Sequence, residues 1–85
     1  GRAERAAVPA LAALRRHFEA ERERLLKESP GADAAEATRL LVNRLLHHPS
    51  EALRALAAEQ GQYERAAAEA LLRRLFALDR EEREP

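Results

Sequence analysis

The sequence predicts an all-α fold, a small four-helix bundle-like subunit that forms a helical homodimer. Alanine, leucine, arginine and glutamate are strong helix formers, and together they supply 61 of the 85 residues. Residues that favour strands through β-branching occur only at Val8, Thr38 and Val42. The apolar side chains recur at helical spacings on more faces than one small core can cover, which predicts association with a second chain.

The first predicted helix covers residues 9–28. Pro9 suits the first helical position, where its missing amide hydrogen costs nothing. A single apolar stripe follows at helical spacing, made of Leu11, Leu14, Phe18 and Leu25. Glu21 interrupts this stripe where the next large apolar residue would fall, and it is spaced for a surface ion pair with Arg24. Residues 29–31, Ser-Pro-Gly, are expected to end the helix.

The second predicted helix covers residues 34–47 and is expected to be the centre of the fold. Asp33, followed three residues later by Glu36, gives a start that resembles a capping box. Five large aliphatic residues follow within seven positions: Leu40, Leu41, Val42, Leu45 and Leu46. At 100° per residue they cover more than half of the helix circumference, which predicts burial on most sides. His47-His48-Pro49 is expected to stop the helix.

Two shorter helices are predicted after this stop. The third covers residues 51–60 with Ser50 as its N-cap, and Gly61 stands where a left-handed C-cap is favoured. The fourth covers residues 63–78. Its main apolar side is widened by Leu72 and Phe76.

The candidates for the dimer interface or the core are therefore Leu40, Leu41, Val42, Leu45, Leu46, Leu72 and Phe76. Leu41 and Leu45 are four residues apart and share a face of their helix, and Val42 and Leu46 share the next face. We expect one pair to pack within the subunit and the other to lie nearer the partner chain.

Composition excludes several classes of function. Fifteen basic and fifteen acidic side chains cancel, so the chain is no polybasic nucleic-acid module held mainly by net charge. The absence of cysteine excludes a disulfide framework, a thiol nucleophile and a cysteine-ligated zinc site. No apolar run approaches the roughly 18–20 residues that span a bilayer, and no secretory signal is visible. We expect a cytoplasmic chain without membrane contact.

The three histidines are the only candidates for metal or general-base chemistry. His47 and His48 are adjacent, so on a helix they point about 100° apart and cannot bind one metal as an i, i+4 pair can. A place near a helix C-terminus explains them structurally, because the macrodipole favours histidine there. His17 is expected to be exposed on the polar side of the first helix. The three glycines are isolated, so no phosphate-binding loop is present. We expect no catalytic, cofactor-binding or metal-binding residue in this chain.

Two polar features leave alternatives open. Arg39, Arg44, Arg73 and Arg74 suggest contact with nucleic acid, although glutamates nearby leave no uncompensated basic stripe. A solvated or interface-rim position is the simpler explanation for them. Asn43 either makes a buried polar contact that fixes the dimer register or lies on the surface between Arg39 and Arg44 in angle.

Residues 38–56, TRLLVNRLLHHPSEALRAL, resemble the dimerisation domain of the glutamyl-tRNA reductase family. That family typically has a stretch of the form T-x-x-(L/I)-V-N-(K/R)-(L/I)-L-H-x-P-(S/T). The matching positions are Thr38, Val42, Asn43, Arg44, Leu45, Leu46, His47, Pro49 and Ser50.

Two further blocks resemble the same family and stand in the same order. Upstream, the family segment V-P-x-(I/L)-x-x-L-R is matched by Val8, Pro9, Leu14 and Arg15. Downstream, the family ending L-x-x-L-F-x-L-D is matched by Leu72, Leu75, Phe76, Leu78 and Asp79. One departure is Ala77, which stands where the family commonly has glycine. Together the three blocks cover most of residues 8–79.

The resemblance implies that the parent enzyme reduces glutamyl-tRNA to glutamate-1-semialdehyde with NADPH, the first step of tetrapyrrole synthesis. It also implies a homodimer joined through this domain, with the catalytic cysteine and the NADPH site in other domains. Residues 1–7 would end a long linker helix, residues 8–79 would form the dimerisation domain, and residues 80–85 would form a charged, disordered tail. Two alternatives remain: an accessory helical domain that contacts tRNA through the four arginines named above, and a stand-alone helical adaptor.

Overall fold

The computed structural model is all-α, which confirms the predicted class. The structure describes residues 1–59 and 61–83. The helices in this part are α1 (Arg2–Glu28), α2 (Ala34–Glu59), α3 (Gln62–Leu75) and α4 (Leu78–Arg83), and no strand occurs there. The chain divides into two compact units, unit 1 (Gly1–His47) and unit 2 (His48–Pro85).

The turn between α1 and α2 is built as the sequence predicts. The amide of Ser29 donates to the carbonyl of Leu25 at 2.9 Å and closes the last turn of α1. Asp33 then caps α2, because its Oδ1 accepts a hydrogen bond from the amide of Glu36 at 2.8 Å. This bond satisfies one of the donors that a helix leaves open in its first turn, and it confirms the predicted cap.

The beginning of α1 differs from the prediction. The helix begins at Arg2, so Pro9 lies inside it instead of opening it. A proline inside a helix removes one hydrogen bond, here the bond to the carbonyl of Arg5, and bends the helix at that point. The surrounding alanines and arginines are strong helix formers and carry the helix through. Residues 1–7, expected to end a linker helix, are therefore continuous with the segment that follows, and the expected boundary falls within one helix.

The predicted stop at His47-His48-Pro49 is also wrong. α2 continues from Ala34 to Glu59 with Pro49 inside it, so the second and third predicted helices are one helix. Pro49 removes the single hydrogen bond to the carbonyl of Leu45, and the alanines and leucines that follow restore the helix. Ser50 is therefore no N-cap. His47 and His48 lie in the middle of a helix, so the macrodipole at a C-terminus does not explain them.

In unit 2, Gly61 has a positive φ, but it does not form the left-handed C-cap that the sequence predicts. Its φ is 90° and its ψ is −175°, and its amide donates to the carbonyl of Leu56 at 3.1 Å. Residues with a Cβ rarely adopt this φ, and glycine adopts it freely.

The fourth predicted helix, 63–78, is broken near its end. α3 ends at Leu75, Ala77 has a φ of 52°, and α4 follows from Leu78. The amide of Ala77 donates to the carbonyl of Arg74 at 3.4 Å, one of the two bonds of a Schellman ending. Ala77 therefore fills the position after a helix that glycine usually fills.

Arg73 and Asp79 join the two sides of this break, with Nη1 and Oδ1 2.8 Å apart. α4 then extends to Arg83, so the structure describes residues 80–83 as helix where we expected a disordered tail. Residues 84 and 85 of that expected tail lie outside the described residues.

Substitutions at the two positions with positive φ should change the stability of the chain in opposite directions. Ala77→Gly should stabilise the chain by about 0.5–1 kcal/mol. Holding alanine in the left-handed conformation costs roughly 1–2 kcal/mol, and this exceeds the stability lost because glycine gives the unfolded chain more conformational entropy. Gly61→Ala should destabilise it by strain alone, since a Cβ at this position meets no atom within 4 Å. Thermal unfolding followed by circular dichroism measures both changes. A lower midpoint for Ala77→Gly would contradict this interpretation of the break.

Burial is concentrated in α1 instead of α2. Leu25 is 2% exposed, and it is the one fully buried hydrophobic residue in the described part of the chain. α2 has no buried residue, so the prediction that it is a central helix buried on most sides is not met within the single chain. Within unit 1, α2 has one neighbouring helix, and a single neighbour covers a single face. The other apolar faces of α2 are left for contacts beyond unit 1.

Candidate functional site

The predicted apolar residues of α2 separate into two faces. Leu40, Leu41 and Leu45 are half-buried. Val42 and Leu46, each one position further along, are 55% and 56% exposed. The rotation of about 100° per residue produces this separation. The structure therefore places Leu41 and Leu45 on the subunit side and Val42 and Leu46 on the outside.

Asn43 lies on the exposed side of α2, as Arg39 does. It makes no buried polar contact within the subunit, which agrees with the surface alternative for a single chain. Its neighbour Val42 belongs to the outer apolar face. A role for Asn43 in fixing the register of a dimer stays a prediction.

One face of α1 is covered along its C-terminal half and bare along its N-terminal half. The covered half includes Leu25 and the half-buried Phe18. The bare half carries Val8, Leu11 and Leu14, which are 61%, 63% and 41% exposed. These side chains and Phe18, here called the α1 stripe, border a shallow surface groove with Arg15 and Glu19 at its rim.

Helix lengths explain why half of this face is bare. α1 has 27 residues and is about 40 Å long. The part of α2 that belongs to unit 1, residues 34–47, is only about 21 Å long. Within unit 1, α2 can therefore cover about half of α1.

α3 carries a second exposed apolar face. Its members, here called the α3 stripe, are Tyr63, Leu71 and Leu75, which are 83%, 55% and 69% exposed. Leu72 lies about 100° around the helix from Leu71 and is half-buried. Phe76 is 51% exposed, and it follows the end of α3. The sequence predicts that Leu72 and Phe76 widen the same apolar side of one helix. They lie in different environments because α3 ends at Leu75, before Phe76.

Sequence reasoning missed a cluster of charges that joins α1 and α2. The Glu21 side chain is only 13% exposed, and its Oε2 lies 3.9 Å from Nη1 of Arg44. Arg44 also pairs with Glu28, and Arg24 donates a hydrogen bond to Glu21. A carboxylate on an apolar face needs such partners, because removing it from water unpaired is costly. The sequence contains a signal for this pairing, because Glu21 interrupts the apolar residues of α1 and Arg44 interrupts those of α2.

The environment of Glu21 lowers the pKa of its carboxyl below the ordinary value of 4.5. The main cause is the hydrogen bond from Arg24, and the positive charges of Arg24, His17 and Arg44 add to it against an opposing effect of burial. A carboxyl with a depressed folded pKa stabilises the fold above its unfolded pKa, and this stabilisation is lost as the pH falls through the folded pKa.

Glu21→Gln should therefore lower the unfolding midpoint at pH 7, and the difference from the native chain should shrink as the pH falls below 4.5. Thermal unfolding at pH values from neutral to acid measures this. Glu23→Gln, at an exposed position of the same helix, is the matched control and should show a smaller difference at pH 7. A Glu21→Gln difference that does not change with pH would contradict the assignment.

The histidine environments correct one prediction. His17 is half-buried, with its ring centroid 6.0 Å from that of Phe18, so the expected exposure to solvent is wrong. His47 and His48 are exposed on α2. Across the residues with described positions, no group of three histidine, cysteine or acidic side chains is placed to hold a metal ion. In the same part of the chain, no helix is both long and apolar enough to cross a membrane.

Two of the four arginines of the tRNA-contact alternative form ion pairs with acidic side chains of this chain. Arg44 is paired with Glu21 and Glu28, and Arg73 is paired with Asp79. Arg39 and Arg74 are exposed. Because two of the four charges are already compensated, the structure gives this alternative no support.

Known proteins match the chain along almost all of its length. Residues 2–78 match the family model described as glutamyl-tRNAGlu reductase, dimerisation domain. The glutamyl-tRNA reductase of Rhodospirillum rubrum is 67% identical over 79 residues, which cover 91% of this chain and 18% of that relative. The chain thus spans less than a fifth of the relative's length. No solved structure matches it. On the strength of the family model and of this identity, the chain belongs to the family of glutamyl-tRNA reductase dimerisation domains.

Proposed function

We propose that this domain joins two copies of a glutamyl-tRNA reductase into a homodimer and does no chemistry of its own. The enzyme would reduce the glutamyl group of glutamyl-tRNA to glutamate-1-semialdehyde with NADPH, as the first step of tetrapyrrole synthesis. A charged tRNA substrate would place it in the cytoplasm. Membership of the family and the match to the Rhodospirillum rubrum enzyme support this proposal.

The observation that carries the dimer is the apolar surface that each unit leaves exposed. In unit 1, Val42 and Leu46 are more than half exposed. In unit 2, Leu71 and Leu75 are more than half exposed.

The described part of the chain buries few large apolar side chains. Large aliphatic and aromatic residues are exposed on α1, α2 and α3, whereas Leu25 alone among the described hydrophobic residues is fully buried. One fully buried leucine is a small core for a chain of this length, so burying these side chains against a second copy would add to its stability. Contiguous exposed apolar surface typically marks an interface, and a second copy is the partner that the family supplies.

On α2, the exposed pair is the proposed contact with the partner. Val42 and Leu46 would pack against the second copy, whereas Leu41 and Leu45 would pack within the subunit. Asn43 lies beside the exposed pair and would satisfy its amide across the interface, which would fix the register.

The residues of this chain do not fit NADPH. Dinucleotide phosphates bind to glycine-rich loops at helix N-termini, and the glycines here are isolated. The N-terminus of α2 is already occupied by the carboxylate of Asp33. The cofactor would therefore bind in another part of the enzyme, and calorimetric titration of this chain with NADPH should show no binding.

Sedimentation equilibrium tests the proposed function. At micromolar concentration the chain should sediment with twice its 9.5 kDa mass. Leu46→Ala should shift the equilibrium toward the single chain. Glu23→Gln, at an exposed polar position of α1, should leave it unchanged. A single species of 9.5 kDa at high concentration would contradict the proposed function.

A further inference from the structure

We propose that Arg44, paired with Glu21 and Glu28, determines which face of α2 packs against α1. The opposite face, which carries Val42 and Leu46, is thereby left exposed. The residues that carry this inference all belong to unit 1, and the inference concerns a single chain. Its consequence for a dimer rests on the proposed function, because the exposed face is the one proposed to contact the second copy.

The apolar residues of α2 by themselves predict a different orientation. Between residues 40 and 46, four of the five large aliphatic side chains share an arc of about 140° that includes no charged residue: Leu41, Val42, Leu45 and Leu46. Leu40 lies nearly opposite the centre of this arc, here called the apolar arc. If apolar burial alone set the rotation of α2, the apolar arc would face α1 and Leu40 would be exposed.

The structure has the reverse arrangement. Leu40 is half-buried, whereas Val42, near the centre of the apolar arc, is 55% exposed. Arg44 lies between Leu40 and Leu41 around the helix, and its guanidinium reaches carboxylates of α1. The face of α2 that packs against α1 is therefore centred on a charged residue and not on the apolar arc.

Two carboxylates of α1 explain this rotation. Glu21 and Glu28 lie on the same side of α1, about two turns apart, with the buried Leu25 between them. Nη1 of Arg44 lies 3.9 Å from Oε2 of Glu21, and Nη2 of Arg44 pairs with Glu28. Turning the apolar arc toward α1 would carry Arg44 about 130° around its helix, away from both carboxylates. The Glu21 side chain, only 13% exposed, would then lose a partner that offsets the cost of its burial.

Thiol reactivity at positions 40 and 42 reports the rotation of α2, because the chain contains no cysteine of its own. Leu40→Cys and Val42→Cys are each made in the native chain and in a glutamine chain that carries Glu21→Gln and Arg44→Gln. The glutamines remove the two charges without adding apolar surface. Rates of reaction with a small thiol reagent are measured on dilute single chains and divided by the rates of the same variants unfolded in urea. In the native chain the thiol at position 42 should react severalfold faster than the thiol at position 40, and in the glutamine chain this order should reverse.

Two control backgrounds should keep the native order of the rates. Arg44→Lys retains a positive charge beside the carboxylates of α1. Glu51→Gln combined with Arg54→Gln removes the same two kinds of charge from an exposed ion pair of α2, in which the two side chains lie 3.0 Å apart. An unchanged order in the glutamine chain would overturn the inference, because apolar packing would then set the rotation. Unfolded rates at both positions of the glutamine chain would also overturn it, because the charges would then hold α2 on α1 without choosing its face.

Sedimentation equilibrium of the same chains separates this inference from the proposed function. If the order reverses, the glutamine chain should also dimerise more weakly, although neither substituted residue lies on the exposed face of α2. A reversed order with an unchanged dimer dissociation constant would support the inference and contradict the contact proposed for Val42 and Leu46. A native chain that never dimerises would contradict the proposed function alone, because the thiol rates are measured on single chains.

Discussion

Leu25→Ala should unfold unit 1 at temperatures at which the neighbouring substitution Leu26→Ala leaves it folded. Leu25 is 2% exposed, and truncating a buried leucine to alanine typically costs about 2–5 kcal/mol. The total stability of a small domain is only about 5–15 kcal/mol, so this loss is a large fraction of it. Alanine is at least as good a helix former as leucine, so the loss would come from packing and not from helix propensity.

Leu26 gives a matched control for this prediction. It is the next residue of the same helix, it loses the same atoms when truncated, and it is 46% exposed. Its substitution should cost less than about 1 kcal/mol. Circular dichroism during thermal unfolding, at one chain concentration, measures both variants. Equal midpoints for Leu25→Ala and Leu26→Ala would show that Leu25 is no packing centre.

Leu45→Ala and Leu46→Ala should have different effects although the residues are adjacent. Leu45 is half-buried in the subunit, so its truncation should lower the stability of the single chain in dilute solution. Leu46 is 56% exposed, so its truncation should leave the dilute chain unchanged and raise the dimer dissociation constant. Each 1.4 kcal/mol of binding free energy lost raises the dissociation constant about tenfold, and the substitution occurs twice in a symmetric dimer.

Leu41→Ala and Val42→Ala repeat the comparison one turn earlier. Val42→Ala is the more discriminating of the two, because alanine is the better helix former. Helicity of the dilute chain should rise slightly while the dimer weakens. Circular dichroism below the dissociation constant and sedimentation above it measure the two effects separately. Unchanged dissociation constants for both Val42→Ala and Leu46→Ala would place the interface elsewhere.

Local sequence signals predicted the parts of the fold that local chemistry determines. The cap at Asp33, the end of α1 at residue 29 and the positive φ of Gly61 were all predictable, because each depends on a few neighbouring residues. Pro9 and Pro49 led to wrong helix boundaries in the prediction. Each proline removes only one hydrogen bond, and strong helix formers on both sides compensate for it. The break after α3 was not predictable from Ala77 itself, since alanine is the best helix former.

Burial depends on which neighbours the chain provides, and this was predicted less well. The large aliphatic residues from 40 to 46 surround their helix, and the prediction divided them between the subunit and a partner chain without saying which pair faces which. The single chain covers Leu40, Leu41 and Leu45 and leaves Val42 and Leu46 exposed. The division into two classes was predicted from helix geometry, whereas which class faces outward required the structure.

The dependence of the unfolding midpoint on chain concentration is the most direct test that a second copy completes this fold. Dimerisation stabilises the folded chain by mass action, so the midpoint should rise with concentration. Each tenfold increase in chain concentration adds about 1.4 kcal/mol to the free energy of unfolding of the dimer. This should raise the unfolding midpoint by about 3–6 °C for a dimer of this size. A midpoint that stays constant between low and high micromolar concentration would show that the single chain is stable by itself, and it would contradict dimerisation as the role of this domain.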